Sequence, residues 1–454
     1  MPVEKSARLV KSRIRIVVLD DDPTGIQTVH GCLVLARWPG HELKRALNDS
    51  EPYFYILTNT RAMDWDAARR TVSDAVSSVI KANRELGYRL VFISRGDSTL
   101  RGHYPLECDT VIETAGLNPV ARFLVPAFFE SGRLTDGDVH YMIQDGRRIP
   151  CHETEFARDS VFGYSTSHLP GYIEEKTAGR VRSHEVFSVT REMLAHGREG
   201  KLAALLDGLP AGAHVVVNSI DYSELDAFSN EVVDRLESGR EYVFQSSASF
   251  IKSLVECPEK PFVRADETSG KGPGLIIAGS HVQKTTRQLE VLLDAPGVRG
   301  LEIDVGRLLE DEPRAFELAT RQTAEIMDSG LTPAVYTSRR EAVFSGKRRR
   351  LAAGRRISAF LSRLVAECPR RPAFLIAKGG ITSHDVLVDG LGIASARVLG
   401  QAAPGVPAIA MPEGHRWAGL AYVIFPGNVG EDRTLADVYL SMSGKDNHPA
   451  KEKQ

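Results

Sequence analysis

Residues 14–25 constrain this chain more than any other stretch. Ile14-Arg15-Ile16-Val17-Val18-Leu19 is a mostly apolar, β-branched run that reads as a buried strand, and it ends in Asp20-Asp21-Asp22-Pro23-Thr24-Gly25. In an open α/β sheet, ligands sit outside the carboxyl ends of the strands, so three acid groups stand where chemistry usually happens. Adjacent carboxylates repel one another unless a cation, a basic side chain or hydrogen-bond donors compensate them. An Asp-rich turn can also be only a solvated turn; at the close of a strand the functional reading is ahead.

The same pattern, an apolar strand closed by polar residues, returns downstream. Gln27-Thr28-Val29-His30-Gly31 leads into an apolar run over 32–36, and the next strand, 53–57, is closed by Thr58-Asn59-Thr60-Arg61. Asp64 is placed to cap a helix in which Val72, Ala75, Val76, Val79 and Ile80 recur at helical spacing before Gly87. A strand over 90–94 ends in Arg95-Gly96-Asp97-Ser98-Thr99-Leu100-Arg101-Gly102-His103. Arg95 and Arg101 offer planar donors suited to a carboxylate or phosphate, and Ser98 and Thr99 offer hydroxyls to a polyol. The bland alternative for this loop is a capped turn with a weak surface ion pair. A strand over 123–125 ends in Pro126-Ala127-Phe128 and Gly132-Arg133. Residues 138–185 show little periodicity and are expected to be an irregular excursion over the sheet. A strand over 215–218, a helical run over 223–238 and a strand over 242–245 restore the β-α-β rhythm.

Between Cys257 and Gly274 the residues Pro-Glu-Lys-Pro and Asp-Glu-Thr-Ser-Gly-Lys-Gly-Pro-Gly read as a linker. A fresh strand, 275–278, ends in Gly279-Ser280, and a helix follows over about 281–294. Strands are expected at 301–303, 334–336, 373–377, 408–411 and 422–425, alternating with helices. Lys378-Gly379-Gly380-Ile381-Thr382-Ser383 and Pro426-Gly427-Asn428-Val429-Gly430 close two of these strands. Paired glycines let backbone approach a ligand, and a helix start bearing Thr or Ser offers donors to phosphate. Each corner alone is a weak signal; three in one domain are stronger. Neither a P-loop nor a strand-borne G-x-G-x-x-G occurs. The fold class expected is α/β: two Rossmann-like three-layer domains joined by a linker, over 1–257 and 274–445.

Composition narrows the function. With 454 residues the chain is too long for one ordinary core. A net charge of −2 argues against a nucleic-acid-coating surface. The densest basic cluster, Lys347-Arg348-Arg349-Arg350 with Arg355-Arg356, reads as a solvated helical face. Five scattered cysteines with no C-x-x-C pair form neither a disulfide framework nor a zinc site, and the thirteen histidines show no ligand spacing. The N-terminal residues lack a signal peptide's apolar core and no run approaches membrane-spanning length, so the expectation is a cytoplasmic protein with neither membrane nor nucleic-acid partner.

These motifs resemble those of the four-carbon acid sugar kinases, the threonate, erythronate and 3-oxo-tetronate kinases. The family's Asp-Asp-x-Thr-Gly is matched by Asp21 to Gly25, its Asp-Ser-Thr-Leu-Arg-Gly by Asp97 to Gly102, and its Pro-Ala-Phe by Pro126 to Phe128. Its C-terminal Gly-Ser, Gly-Gly-x-Thr-Ser and Gly-Asn-x-Gly are matched by Gly279-Ser280, Gly379 to Ser383 and Gly427 to Gly430. The departures are the opening Asp20-Asp21-Asp22-Pro23-Thr24-Gly25, where better-known members have an Ala and a Leu around the Asp pair, the Arg95-Gly96 lead-in in place of a more Lys-rich one, His103 where Asn is common and Asn218 where Asp is common. The resemblance implies a sugar-acid-binding N-terminal domain, a C-terminal domain that binds ATP at Ser280, Gly379, Gly380, Ile381, Thr382 and Gly427, and Mg²⁺ bridging phosphates. It further implies that Asp22 or Asp21 acts on the reacting hydroxyl, that Arg95 and Arg101 grip the carboxylate of a small-molecule sugar acid, and that Arg61, Asp97 and Ser98 stand near the polyol. The metal ligands stay unassigned, and a homo-oligomer is among the states open to such a chain.

Two other readings compete. Asp20-x-Asp22-x-Thr24 also satisfies the opening of a haloacid-dehalogenase-like phosphatase, in which the first Asp is the nucleophile; Gly96-Asp97 lacks the second acid of that family's metal motif. A non-catalytic sugar-acid sensor is the third, and the three glycine corners count against it.

Overall fold

The structure is a computed structural model that describes residues 4–195, 200–265, 272–339 and 347–445. Much of the expected linker, 266–271, lies outside the described residues, as do the side chains of Lys347, Arg348 and Arg350 in the basic cluster; Arg349, Arg355 and Arg356 are exposed. The chain divides into two compact units, 1–259 and 260–454. Both are three-layer α/β.

In the first unit β1 (Ile14–Asp20), β2 (Leu33–Leu35), β3 (Tyr53–Leu57), β4 (Arg89–Arg95) and β5 (Ala121–Val125) come first. A small antiparallel sheet, β6 (Arg133–Asp136), β7 (Val139–Gln144) and β8 (Arg147–Pro150), interrupts the series. β9 (Phe187–Val189), β10 (Ala213–Val217) and β11 (Tyr242–Ser246) complete it. The main sheet is parallel in the order β2-β3-β1-β4-β11-β5-β10-β9. Every β1 residue is buried, as a strand covered by helices on both faces requires. Val17 and Leu19 pack with Val72, Ala75, Val76 and Val79 of the helix Trp65–Asn83, which Asp64 caps by accepting from the Ala67 N–H at 2.8 Å. On the other side Phe123, Phe228, Phe244 and Phe250 form a ring cluster with centroids 4.9–5.7 Å apart, Phe123 stacking on Phe244 and the rest meeting edge-on or tilted.

The excursion expected to be irregular is ordered. Besides β7 and β8, which pair with β6 just before it, it contains the helix Leu169–Lys176, and its own core joins Met142, Cys151, Tyr164 and Tyr172 to Leu100 and Leu124. Periodicity misses it because the strands are short and half-exposed.

The second unit holds β12 (Leu275–Ala278), β13 (Val298–Ile303), β14 (Thr332–Thr337), β15 (Phe374–Lys378), β16 (Ser395–Ala403), β17 (Val406–Ala410) and β18 (Ala421–Phe425). Parallel β13-β14-β12-β15-β18 continues into antiparallel β17 and β16. The sequence shows no sign of β16. Val263, within the stretch read as linker, is buried in this unit's core, and its N–H donates to the Gln401 carbonyl at 2.8 Å.

Both sheets reverse strand order beside their first strand, at β1/β4 and at β12/β15. Such switch points open a crevice outside the carboxyl ends. Asp20–Asp22 and Arg95–Arg101 flank the first; Gly279-Ser280 and Gly379-Gly380 flank the second.

Candidate functional site

At the first switch point the three carboxylates are sorted by burial. Asp20 is completely buried and Asp21 is 2% exposed, whereas the Asp22 side chain is 26% exposed, so Asp22 is the acid of the three that can meet a ligand. Asp20 lies 3.6 Å from the Arg95 guanidinium and accepts the Asp22 N–H at 3.3 Å. Gly25 is required here, because a Cβ on it would collide with the Asp20 carboxylate. Arg61, from the turn after β3, takes Asp21 through Nε at 3.0 Å and also through Nη2, while its Nη1 holds Asp22 at 3.0 Å. Thr24 donates both its N–H (2.8 Å) and its hydroxyl (2.6 Å) to Asp22. Burial pushes Asp22 upward, but Arg61 and Thr24 outweigh it and hold the carboxylate below its ordinary value.

Sequence reasoning misses the buried Glu107. It accepts the Thr60 and Ser94 hydroxyls, each at 2.5 Å, and so ties the Arg61 turn to β4. The one sequence signal was an acid in a helical first turn soon after the Asp97 loop.

That loop is moulded by the excursion. His140 on β7 reaches the Ser98 carbonyl at 2.8 Å, and the Tyr164 and Tyr172 hydroxyls donate to the carbonyls of Thr99 and Leu100, each at 2.8 Å. Leu100 is thereby held at φ 66°, a left-handed conformation that a branched residue keeps only when its surroundings over-determine it. Asp97 takes the Thr99 hydroxyl and the Arg101 Nε (2.7 Å); burial opposes its charge, yet Arg61 and Arg101 win and its carboxyl lies well below the ordinary range. Arg101 also lies 3.7 Å from Asp159 and over the Phe156 ring.

The expected pair of arginines is split. Arg101 is 24% exposed, but Arg95 is 4% exposed and turned onto Asp20 and Gln27, so Arg95 supports the acid cluster and does not face solvent. Ser98 is buried and sits in the loop beside Asp97.

At the second switch point Ser280, Gly379, Thr382 and Gly427 converge. The Thr285 hydroxyl lies 3.2 Å from both the Ser280 hydroxyl and the Gly427 carbonyl. A Cβ on Gly379 (φ 113°) would stand 3.0 Å from that of Ser280, so this close approach needs glycine. The next residue differs: a Cβ on Gly380 meets nothing within 4 Å, and Ile381 beside it is 72% exposed. The corner therefore has a packed floor and an open approach. Lys378 is fully buried beneath it, with Nζ 2.5 Å from the Pro426 carbonyl and 3.2 Å from that of Gly427. Arg339, which closes β14, donates to the Ser280 carbonyl at 2.8 Å. Its place in the polar stretch after β14 is the one sequence signal that marks it.

Among the described residues no group of three or more His, Cys, Asp and Glu side chains is arranged to hold a metal ion, and no helix is long and apolar enough to cross a membrane.

The buried acids give a pH prediction. Burial holds Asp20 up to about 8, against Arg95 and with Asp21 and Asp22 adding to it. Asp21 stands at about 6, burial opposed by Arg61, and burial raises Glu107. An acid whose folded value exceeds its unfolded one binds more protons when folded, so these groups cost stability as pH rises from about 4 to 8. Asp22 and Asp97 act only below that window. Lys378, pushed down to about 7 by burial, acts oppositely from about pH 7 upward and so overlaps the top of that window, which makes the wild-type slope alone ambiguous. Asp20→Asn should lose less melting temperature than wild type between about pH 6 and 8.5; parallel profiles would show that Asp20 does not titrate there.

Comparison with known proteins follows this division. Residues 16–254 match a family model described as a sugar-binding N-terminal domain, and 275–435 match one described as a nucleotide-binding C-terminal domain. The chain is 25% identical over 279 residues to the D-erythronate kinase of Heliobacterium modesticaldum, an alignment that covers 60% of this chain and 57% of that relative. Its fold is similar to that of a Haemophilus influenzae protein (TM-score 0.67, 18% identity, 94% of this chain and 100% of that one). It is also similar to a Salmonella typhimurium LT2 protein that carries a provisional tRNA synthase name (TM-score 0.69, 16% identity, 93% and 98%). At these identities the two structures speak for the fold alone.

Proposed function

Because the chain belongs to the four-carbon acid sugar kinase family, we propose that it transfers the terminal phosphoryl group of ATP to a hydroxyl of a four-carbon sugar acid of the threonate, erythronate or 3-oxo-tetronate type. The observation that carries the reading is the sorting of the aspartates: one solvent-facing carboxylate, Asp22, fixed by Arg61 and Thr24 at a switch point, with the Asp97-Arg101 pair on the neighbouring strand end.

In this mechanism Asp22 accepts the hydrogen bond of the reacting hydroxyl and, as the oxygen bonds the γ-phosphorus and the bond from that phosphorus to the departing ADP breaks, its proton. A carboxylate below its ordinary value is ionised and ready to accept that hydrogen bond; it is a weak base, but phosphoryl transfer asks mainly for positioning and charge stabilisation. Asp21 and Arg61 fix its direction. Arg101 takes the substrate carboxylate, with Asp97 holding the guanidinium and polyol hydroxyls within reach of the Ser98 loop. Arg95 keeps Asp20 paired in the floor. ATP occupies the corner of Ser280, Gly379 to Thr382 and Gly427, where open space above Gly380 and donors below suit a phosphate chain. Mg²⁺, if it accompanies the nucleotide, would supply further charge neutralisation to the phosphates, and no residue of the chain is assigned to hold it.

The buried Asp20 counts against the phosphatase reading, because a nucleophile must touch its substrate. A thermal-shift screen of four-carbon acids, alone and with ADP, tests the binding half of the proposal. Ligands of the folded state raise the melting temperature; a panel in which no acid and no nucleotide does so would sink it.

A further inference from the structure

Among the described residues, three cations around the second switch point, Lys284, Arg339 and Lys378, make no direct ion pair with an acid, and Arg339 feels the acids Glu302 and Glu290 only at longer range. In this unit Arg287 pairs with Asp432 at 3.0 Å, Arg356 with Glu312 at 3.1 Å, Arg370 with Asp328 at 2.7 Å and Arg433 with Asp437 at 2.9 Å. Lys284, Arg339 and Lys378 instead donate to backbone carbonyls of one corner. Lys284 Nζ is 3.0 Å from the Gly430 carbonyl, Arg339 Nη1 is 2.8 Å from that of Ser280, and Lys378 Nζ is 2.5 Å from that of Pro426. Carbonyls orient these heads without neutralising them. Like charges gathered with no acid in direct contact are unfavourable until an anion arrives.

We infer that Lys284, Arg339 and Lys378 form a cationic cradle that makes this corner select nucleoside di- and triphosphates over monophosphates. The inference rests on the nucleotide reading above and adds the residues that read phosphate charge. Lys284 and Arg339, both partly exposed, meet the phosphates. Lys378 is a positioning residue: it is fully buried, holds the Pro426-Gly427 turn, and acts through that turn and through its charge.

Proton linkage gives the cradle a signature. Burial, aided by Lys284, pushes Lys378 down to about 7. Lys284 is the charged neighbour facing it; on the helix that follows, Asp385 is engaged by the Ser358 hydroxyl, and His384 precedes it. A polyphosphate raises the proton affinity of the ammonium, so binding at about pH 8 takes up a proton.

The experiment is calorimetric titration of the full chain with ADP, AMP and inorganic tripolyphosphate at about pH 8, in two buffers of different ionisation enthalpy. In wild type, ADP should bind at least about tenfold tighter than AMP and with proton uptake. Lys284→Met and Arg339→Met should each weaken ADP by about tenfold while moving AMP little. Lys378→Arg should keep ADP affinity and lose the proton uptake, and Lys378→Met should lose both; a purely structural lysine would not separate them. If ADP binds wild type but the variants match it, or lose AMP and ADP equally, the cradle is overturned and the nucleotide site stands. Binding of tripolyphosphate without ADP keeps the cradle and overturns the nucleotide reading; binding of neither overturns both.

Discussion

Asp22→Asn is expected to lower kcat by about 10²–10⁴, the usual contribution of a general acid–base group, while sugar-acid affinity changes little. The substitution keeps the shape and removes the charge and the ability to accept a proton. Its surroundings make the result interpretable. Thr24 can still donate to the amide oxygen, and Arg61 stays anchored on Asp21 through two nitrogens, so the loop should keep its form. Asp97→Asn should divide differently. Asp97 holds Arg101 at 2.7 Å, so its loss should raise KM for the sugar acid more than it lowers kcat. Circular dichroism provides the folding control. Wild-type turnover in Asp22→Asn would remove the base from this position and contradict the reading that exposure picks out the acting acid of the three.

Gly380→Val tests the other half of the site. A side chain at 380 meets no protein atom within 4 Å, so the folded chain should tolerate it. The same open space is where the proposal lays the phosphates. Forcing atoms into an occupied volume costs about 1–3 kcal/mol, which predicts an ATP KM raised about ten- to a hundredfold with the sugar-acid KM little changed. The neighbouring glycine would be a poor choice: Gly379 has φ 113° and presses on Ser280, so its substitution would confuse lost binding with lost folding. Unchanged ATP kinetics in a folded Gly380→Val variant would displace the nucleotide from this corner.

The strands that carry the sites were legible because they are buried on both faces and read as continuous apolar runs. β1, β3, β12, β15 and β18 stand within a residue or so of where periodicity puts them. The small sheet β6–β8 was hidden for the opposite reason, since half-exposed strands of four to six residues leave no pattern. That concealment matters, because His140, Tyr164 and Tyr172 belong to this region and shape the Asp97 loop through contacts across 42 to 72 residues of chain. Composition also could not rank Asp20, Asp21 and Asp22, or tell Arg95 from Arg101. Motif adjacency puts all five at the site, and only burial separates those that face a ligand from those that support it. Glu107 and Arg339 are not legible in the sequence because their partners, Thr60 and Ser94 for one and Ser280 and Thr286 for the other, lie on other segments of the chain.

The most direct measurement is phosphorus NMR of the chain incubated with MgATP and each four-carbon sugar acid in turn. The account predicts, for at least one acid, a new phosphomonoester resonance growing in step with ADP, absent without the acid and strongly slowed in Asp22→Asn. ATP left intact with every acid, or inorganic phosphate released from a sugar-acid phosphate without nucleotide, would contradict it.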